Sequence, residues 1–314
     1  MSLRPPAVIG IDGGGTRTRA AIVDADGIVL GQGESGASNY QAVGIESCRA
    51  AIGDAIESAW RASPTERRPA TAIFLGMAGV LSEHDRALIT GIARAIEPEA
   101  SVEVDHDLRP ALAAGVGSSE GIVLIAGTGS SCYGRTRSGR SWRSGGWGHL
   151  LDDNGGGYRL ALDALTAVTR AADGRGPATS LGASLLPAIG ITEIEEILHT
   201  LHQSLTRSDI AALAPLVIEA AADGDAVAAA IVTHGAAELA LMARAVHDAL
   251  QWEGPPPPIV AGGSLFGNDH YRRAIEEAVR ERIPGIVIIA PKVSPAVAAA
   301  RLALEISSLN SSHP

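Results

Sequence analysis

Short apolar runs separated by turns rich in glycine and aspartate open the chain. Apolar residues at 7–12, 17–23 and 28–33 predict the three strands of a β-meander, with a turn at 13–16. Segments with helix and strand periodicity then alternate. They predict a helix at 46–62, a strand at 72–79, a helix at 82–96, a strand at 101–106 and a helix that begins at 108. The first part of the chain is therefore expected to be an α/β domain.

The same order of elements returns after residue 120. A strand at 121–126, a Gly/Thr turn at 127–131 and a return strand at 132–136 repeat the opening hairpin. This favours an internal duplication over two hairpins that are alike by chance. Further periodicity predicts helices at 158–172, 193–205, 208–223, 226–251, 268–281 and 294–306, with strands at 259–263 and 285–291. The whole pattern predicts an α/β protein with two lobes.

The composition excludes several classes of protein. A chain of 314 residues accommodates two domains, and a net charge of −10 argues against nucleic acid as a partner. Cys48 and Cys132 are far apart in the sequence, so they predict neither a disulfide framework nor a metal cluster. No apolar leader or uninterrupted apolar span is evident, so we expect a cytoplasmic protein without a membrane partner.

Lys292 is the only lysine. A Walker A loop needs a lysine directly after glycine, and a protein-kinase site needs a lysine on a strand. Neither signature is present, so any phosphate-binding loop in this chain must work through backbone amides and hydroxyl groups.

Three glycine-rich turns follow apolar strands and are candidates for such loops. Their amides can converge on phosphate oxygens, and the hydroxyls of Thr16 and Thr18 add donors. Asp12, at the end of the first strand, is a candidate ligand of Mg²⁺ through water, and its alternative role is to initiate the turn. The candidate nucleotide-binding residues are Gly13, Gly14, Gly15 and Thr16 in the first turn, Gly127, Thr128 and Gly129 in the second, and Gly262, Gly263 and Ser264 in the third.

Polar residues in other loops are candidates for catalysis and substrate binding. Asp107 lies between a strand and a helix, where it could be a general base or a helix N-cap. Asn39 could bind a sugar hydroxyl pair or form a cap. Trp147, flanked by Gly146 and Gly148, could contact a sugar face or be buried. The neighbouring Asp152 and Asp153 could accept hydrogen bonds from hydroxyl groups.

The ordered motifs "GIDGGGT", "GASNY", Asp107, "GTGS", "GGWG" and "AGGS" together resemble the N-acetylglucosamine kinase family. That family is part of the BadF/BadG/BcrA/BcrD-type ATPase group within the sugar-kinase and actin-like ATPase superfamily. The resemblance covers nearly the whole chain. It implies two duplicated ribonuclease H-like (actin-like ATPase) lobes with ATP in an interlobe cleft. The implied lobes are 1–113, with a returning helix at about 296–310, and 114–295.

The resemblance also implies roles for individual residues. Asp107 would be the catalytic base for transfer of phosphate from ATP, with Mg²⁺, to the 6-hydroxyl of N-acetylglucosamine. Gly157 would approach the nucleotide, and the family implies a homodimer. The sugar would contact Asn39, Asp107, Gly146, Trp147 and Asp153.

Three positions depart from the family pattern and leave the sugar open. Ser131 stands where animal members have Asn, Asn154 lies in a changed sugar-loop motif, and His106 precedes the base where Asn is frequent. Glucosamine and N-acetylmuramic acid are therefore alternative substrates. An ATPase that activates a partner enzyme is the alternative from another class, although Cys48 and Cys132 lack the arrangement expected for its iron–sulfur cluster.

Overall fold

A computed structural model describes residues 6–117, 120–252 and 255–311, with side chains described up to residue 307. It divides the chain into two compact lobes. The first lobe consists of residues 1–119 and 291–314, and the second of residues 120–290. The boundary expected after residue 113 would cut a helix, and the division falls beyond that helix instead.

Strands and helices are numbered here in chain order over the described residues. The strands are β1 (Ala7–Gly13), β2 (Thr18–Asp24), β3 (Val29–Ser35), β4 (Ala72–Met77), β5 (Ser101–His106), β6 (Gly121–Ala126), β7 (Ser130–Arg135), β8 (Ser141–Gly145), β9 (Ile259–Gly262) and β10 (Ile288–Ile289). The α-helices are α1 (Tyr40–Val43), α2 (Ile45–Arg61), α3 (Glu83–Ile96), α4 (Leu108–Val116), α5 (Gly157–Ala172), α6 (Leu181–Ala188), α7 (Ile197–Gln203), α8 (Arg207–Ala211), α9 (Ala214–Ala222), α10 (Ala226–Leu250), α11 (Asp269–Arg282) and α12 (Pro295–Ser311).

The sheet of the first lobe has the order β3-β2-β1-β4-β5. The three meander strands are antiparallel, and β4 and β5 run parallel to β1. One face packs against α2 through its apolar stripe, which includes Cys48, Ile52 and Ile56. The other face packs against the alanine-rich α12, which explains why a helix from the end of the chain belongs to this lobe.

The sheet of the second lobe repeats this arrangement in the order β10-β9-β6-β7-β8. Its meander is antiparallel, and β9 and β10 run parallel to β6. Helices α5, α9, α10 and α11 form its core with the sheet. This is the ribonuclease H-like strand order of the first lobe. The predicted α/β fold with two similar lobes is confirmed.

Several helical predictions were wrong in detail. The single helix expected at 208–223 is two helices, because Pro215 lies in the first turn of α9 and ends the preceding ladder of hydrogen bonds. The helix expected from residue 193 begins as a 3₁₀ turn at Ile194–Glu196. The short helices α1 and α6 were not expected, and β10 is only two residues long.

Within the described residues, α10 is the one helix long and apolar enough to span a membrane. Its apolar residues include Val232, Leu239 and Val246, all buried in the core of the second lobe. This burial is what a core helix of a globular lobe requires.

Candidate functional site

Two carboxylates lie at the carboxyl ends of parallel strands in the first lobe. Asp12 is next to last in β1, and Asp107 directly follows β5. Burial and then the charge of Asp107 raise the pKa of Asp12 to about 6, while Arg19, 4.0 Å away, lowers that pKa. The two carboxylates therefore repel each other at the edge of the sheet where α/β proteins bind ligands.

The first glycine turn is exposed beside these carboxylates. Gly15 and Thr16 are exposed, and the Gly14 amide donates to the Arg17 carbonyl at 3.0 Å. The amides of Ser38 and Asn39 donate to the Gly14 carbonyl at 3.0 and 3.2 Å, which fixes the turn against the start of α1. The turn can therefore present backbone donors to a ligand.

Thr18 does not belong to this donor set. Its side chain is fully buried and its hydroxyl donates to the Gly36 carbonyl at 2.7 Å. The expectation that Thr18 adds a phosphate donor was wrong, because the residue pairs β2 with the end of β3.

Asp107 occupies the N-cap position of α4 but makes no side-chain capping hydrogen bond. Its backbone is already helical, with φ −60° and ψ −22°, whereas a capping residue usually has an extended backbone. The neighbouring Asp105 is instead fixed by Arg86 and Arg109, each at 3.2 Å. The structure thus disfavours the N-cap alternative for Asp107.

Asn39 does act as a cap. Its side-chain oxygen accepts from the Gln41 amide at 3.2 Å at the N-terminus of α1. A sugar contact would have to use the remaining hydrogen-bonding capacity of this amide group.

In the second lobe, the structure brings the second and third glycine turns together. A Cβ on Gly127 would lie 3.9 Å from the Gly263 Cα and from the Ser264 amide. Gly263 has φ +92°, and a Cβ there would overlap the Ala126 carbonyl, so only glycine permits this approach. Gly262 ends β9 beside these residues.

The second turn is also fastened to the start of α5. The Gly127 amide donates to the Gly129 carbonyl at 2.9 Å. The amides of Gly157 and Tyr158 donate to the carbonyls of Gly127 and Thr128 at 2.8 and 3.0 Å. This explains the proximity of Gly157 to the candidate nucleotide loop.

Asp153 lies behind the same turn. Its side chain is only 5% exposed, and its two oxygens accept from the Ser130 amide at 3.1 Å and from Arg207 at 2.6 Å. Sequence reasoning missed Arg207, since 54 residues separate it from its partner. The adjacent Asp152 lies towards Trp147, whose amide donates to it at 3.4 Å.

Trp147 is 68% exposed, which excludes the alternative that it is a buried residue. Its neighbours Gly145, Gly146 and Gly148 all have φ between +72° and +85°. The guanidinium of Arg143 lies 5.4 Å from the Trp147 ring centre and donates to the Gly146 carbonyl at 3.1 Å. The loop therefore holds an aromatic face in solvent, as a sugar-binding residue requires.

Both cysteines are free and buried, Cys48 in the first lobe and Cys132 in the second. Burial raises the pKa of Cys48 to about 11 and also raises that of Cys132. No cluster of His, Cys, Asp and Glu suited to a metal is found among the residues that the structure describes.

This chain is similar in sequence and structure to known amino-sugar kinases. An N-acetylmuramic acid/N-acetylglucosamine kinase from Clostridium acetobutylicum is 33% identical over 84% of this chain and 87% of its own length. An N-acetyl-D-glucosamine kinase from Dictyostelium discoideum is 33% identical over 94% and 97%. A solved structure of a candidate N-acetylglucosamine kinase from Chromobacterium violaceum is 28% identical, with a TM-score of 0.76 over 96% of this chain and 99% of that one.

A match to one family extends over nearly the whole chain, from residue 9 to residue 303. It includes all three glycine turns and both lobes. Together with the relatives at 33% identity, it shows that the chain belongs to the BadF/BadG/BcrA/BcrD ATPase family.

Proposed function

We propose that this protein is an ATP-dependent amino-sugar kinase that phosphorylates N-acetylglucosamine at its 6-hydroxyl. The observation that carries the proposal is the pair of carboxylates, Asp12 and Asp107, at the carboxyl ends of β1 and β5, beside a turn that exposes Gly15 and Thr16. Membership of an ATPase family supports the use of ATP. The relatives that are 33% identical support an amino sugar as the acceptor.

The nucleotide would be bound mainly by backbone groups. Gly13, Gly14, Gly15 and Thr16 would contact the phosphates from the first lobe. The second lobe would contribute Gly127, Thr128, Gly129 and Gly157, with Gly262, Gly263 and Ser264 at the adenosine. Phosphoryl transfer asks the protein mainly for positioning and charge stabilisation, which suits a site without lysine.

Asp12 fits an Mg²⁺ ligand through water. Its carboxylate is partly buried and lies near a second negative charge, an environment that a bound divalent cation would stabilise. When bound, the ion would neutralise charge on the ATP phosphates.

Asp107 would accept the proton of the sugar 6-hydroxyl while that oxygen forms its bond to the γ-phosphorus. The bond from this phosphorus to the oxygen that bridges it to the β-phosphate breaks, and ADP leaves. Trp147 and Gly146 would contact the sugar ring, and Asn39 its hydroxyl groups. Asp153, expected at the sugar, is only 5% exposed, and its two oxygens already accept from the Ser130 amide and from Arg207, so we propose that it supports the second glycine turn instead. Glucosamine and N-acetylmuramic acid remain the alternative acceptors.

We also propose that the protein is a cytoplasmic homodimer.

The rival reading is an ATPase that activates a partner enzyme. Such a protein would need cysteines placed to hold an iron–sulfur cluster. Cys48 and Cys132 are buried in different lobes, an arrangement that favours the kinase.

The decisive experiment is a coupled assay of ATP consumption with a panel of amino sugars, with and without Mg²⁺. We expect turnover that requires both the metal and N-acetylglucosamine, with a product whose phosphorus resonance couples to the protons on carbon 6. Equal ATP turnover with and without every sugar would contradict the kinase and favour the activator.

A further inference from the structure

Asp153 places a buried carboxylate in the second lobe. Its side chain is 5% exposed, and each of its oxygens accepts a hydrogen bond, one from the Ser130 amide and one from Arg207. The backbone of Asp153 has φ +66°, a left-handed conformation that is uncommon outside glycine. A buried charge in such a conformation persists only when its surroundings hold it there.

The residues that hold Asp153 include the second glycine turn. A Cβ on Gly129 would lie 2.5 Å from Oδ1 of Asp153 and 2.8 Å from Nη2 of Arg207, so both side chains pack directly against the turn. The Ser130 hydroxyl donates to the Asn154 carbonyl at 2.7 Å, and the Gly156 amide donates to the Asp153 carbonyl at 3.0 Å. The conformation of the turn is thus tied to that of segment 153–156.

Arg207 is itself held in place. It begins α8, which is capped by Thr206, whose hydroxyl accepts from the Asp209 amide. The Arg207 guanidinium lies 6.0 Å from the ring centre of Tyr158, in the first turn of α5. A Cβ on Gly157 would lie 3.0 Å from the Ala211 carbonyl at the end of α8. Helix α8 therefore packs against the start of α5, to which the turn is bonded.

We infer that Arg207 is a positioning residue that acts through Asp153 on the second glycine turn. By neutralising the buried carboxylate, it keeps Asp153 bonded to the Ser130 amide and keeps Gly127–Gly129 in the conformation that binds the ATP phosphates. The inference rests on the proposed function, because it takes ATP as the ligand of the second glycine turn. It adds Arg207, which lies in α8 and outside the three glycine turns, to the residues on which ATP binding depends. Without the guanidinium, Asp153 would be an unpaired buried charge, which either takes up a proton or moves towards water. Either change releases the Ser130 amide.

The test compares Arg207→Met, Arg207→Lys and a control, Arg175→Met. Arg175 pairs with Asp173 at the same 2.6 Å, but both of these side chains are substantially exposed. Titration calorimetry with Mg·ATP and with N-acetylglucosamine gives the two dissociation constants. We expect Arg207→Met to weaken ATP at least about tenfold and the sugar less than about twofold. Arg207→Lys should recover to within about threefold of wild type, since it keeps the charge. Arg175→Met should change neither.

Hydrogen exchange gives a second readout that needs no nucleotide. We expect Arg207→Met to lose protection in peptides that cover 127–131 and 157–158, with unchanged exchange in the first lobe. Equal loss of ATP and sugar affinity, or unchanged exchange and ATP affinity, would overturn the inference. If Arg207→Met does not fold, the double variant Arg207→Met/Asp153→Asn removes the unpaired charge. Its amide can still accept from the Ser130 amide, so we expect near-wild-type protection at 127–131. Loss of protection there in the double variant would overturn the inference. If wild type binds no ATP, the proposed function fails, while exchange still tests the positioning role.

Discussion

Asp107 stands at an N-cap position without making a capping hydrogen bond, so an amide at this position tests the charge of the side chain alone. Asn keeps the size and can still bond a sugar hydroxyl, but it cannot accept the proton. We expect Asp107→Asn to lower kcat by about 10²–10⁴-fold, the usual contribution of a general base. The sugar Kd and Tm should change little, and steady-state kinetics with calorimetry measures all three.

Asp105→Asn is the matched control for this variant. Asp105 lies two residues away and forms ion pairs with Arg86 and Arg109. It is Asp107, and not Asp105, whose charge raises the pKa of Asp12. Its loss should lower Tm more than Asp107→Asn does, with a smaller effect on kcat. A fully active Asp107→Asn protein would remove this residue from the mechanism.

Asp12 carries a cost to stability that the proposed metal site explains. Its pKa of about 6 in the folded protein is above the value of 3.8 for an unperturbed carboxyl. The folded state therefore binds the proton more tightly, and stability falls as pH rises from about 4 to 6, with the full cost present above pH 6. We expect Asp12→Asn to stabilise the metal-free protein at pH 8 by roughly 2 kcal/mol, after allowance for partial exposure, and to abolish the Mg²⁺-dependent activity.

Denaturant titrations of wild type and Asp12→Asn at pH 4 and pH 8 check this expectation. The gain should fall to about a fifth of this value at pH 4, where the carboxyl is protonated in the folded protein and only partly ionised in the unfolded chain. A gain of equal size at both pH values would indicate a packing effect instead of relief of charge.

Trp147 is exposed beside three left-handed glycines, so its removal should spare the core. We expect Trp147→Ala to raise the sugar KM at least about tenfold, to leave the ATP KM within about twofold and to change Tm little. Trp142→Ala is the control, because Trp142 is also exposed, on β8. A similar rise in sugar KM for both variants would contradict a specific role for Trp147.

At the scale of single residues, the sequence located the glycine turns because glycine, threonine and a preceding strand are local signals. It left Asp107 undecided between cap and base, since that choice depends on backbone angles and on the nearby Asp12. It missed Arg207, because the contact with Asp153 exists only after α8 folds against α5. Thr18 was misassigned because burial cannot be read from a threonine next to a turn.

The packing of α12 against the first sheet is an element-scale property that depends on one glycine. A Cβ on Gly10 would overlap backbone atoms of Ala296 and Ala300, so strand and helix are in direct backbone contact. We expect Gly10→Ala to lower the free energy of unfolding by about 2–4 kcal/mol, because overpacking must move the whole helix. Urea denaturation provides the measurement.

Gly53→Ala serves as the opposite control. Gly53 lies within α2, and a Cβ there meets no atom within 4 Å. Alanine should therefore stabilise the protein by about 0.5–1 kcal/mol through helix propensity. Destabilisation by both substitutions to the same extent would mean that the backbone contact with α12 does not matter.

At the element scale, apolar periodicity located the strands and the long helices, because each buries one face against its own lobe. The boundaries failed where a local feature interrupts the pattern. Pro215 divides 208–223 into α8 and α9, and the short α1 follows from the cap at Asn39 and not from any apolar stripe.

For the whole molecule, the two lobes differ in how the chain builds them. The second lobe is one continuous segment, residues 120–290, and its core contains only residues of that segment. The first lobe needs residues 291–314 as well, because α12 covers the face of its sheet that contains Val8, Ala21 and Phe74. The sequence suggested this return of the chain only through the family resemblance, since no local pattern shows which sheet an alanine-rich helix will cover.

We therefore expect the fragment 120–290 to fold alone, with a cooperative thermal transition in circular dichroism. The fragment 1–119 should show no such transition, because an uncovered apolar sheet face favours aggregation over a stable fold. Adding a separate peptide of residues 291–314 should restore the transition of 1–119 in proportion to peptide occupancy, since a ligand that binds only the folded state stabilises it by mass action. The same peptide with Ala300→Glu is the control, because a charge in the contact with Gly10 cannot be buried unpaired. Cooperative folding of 1–119 without any peptide would contradict the assignment of α12 to the core of the first lobe.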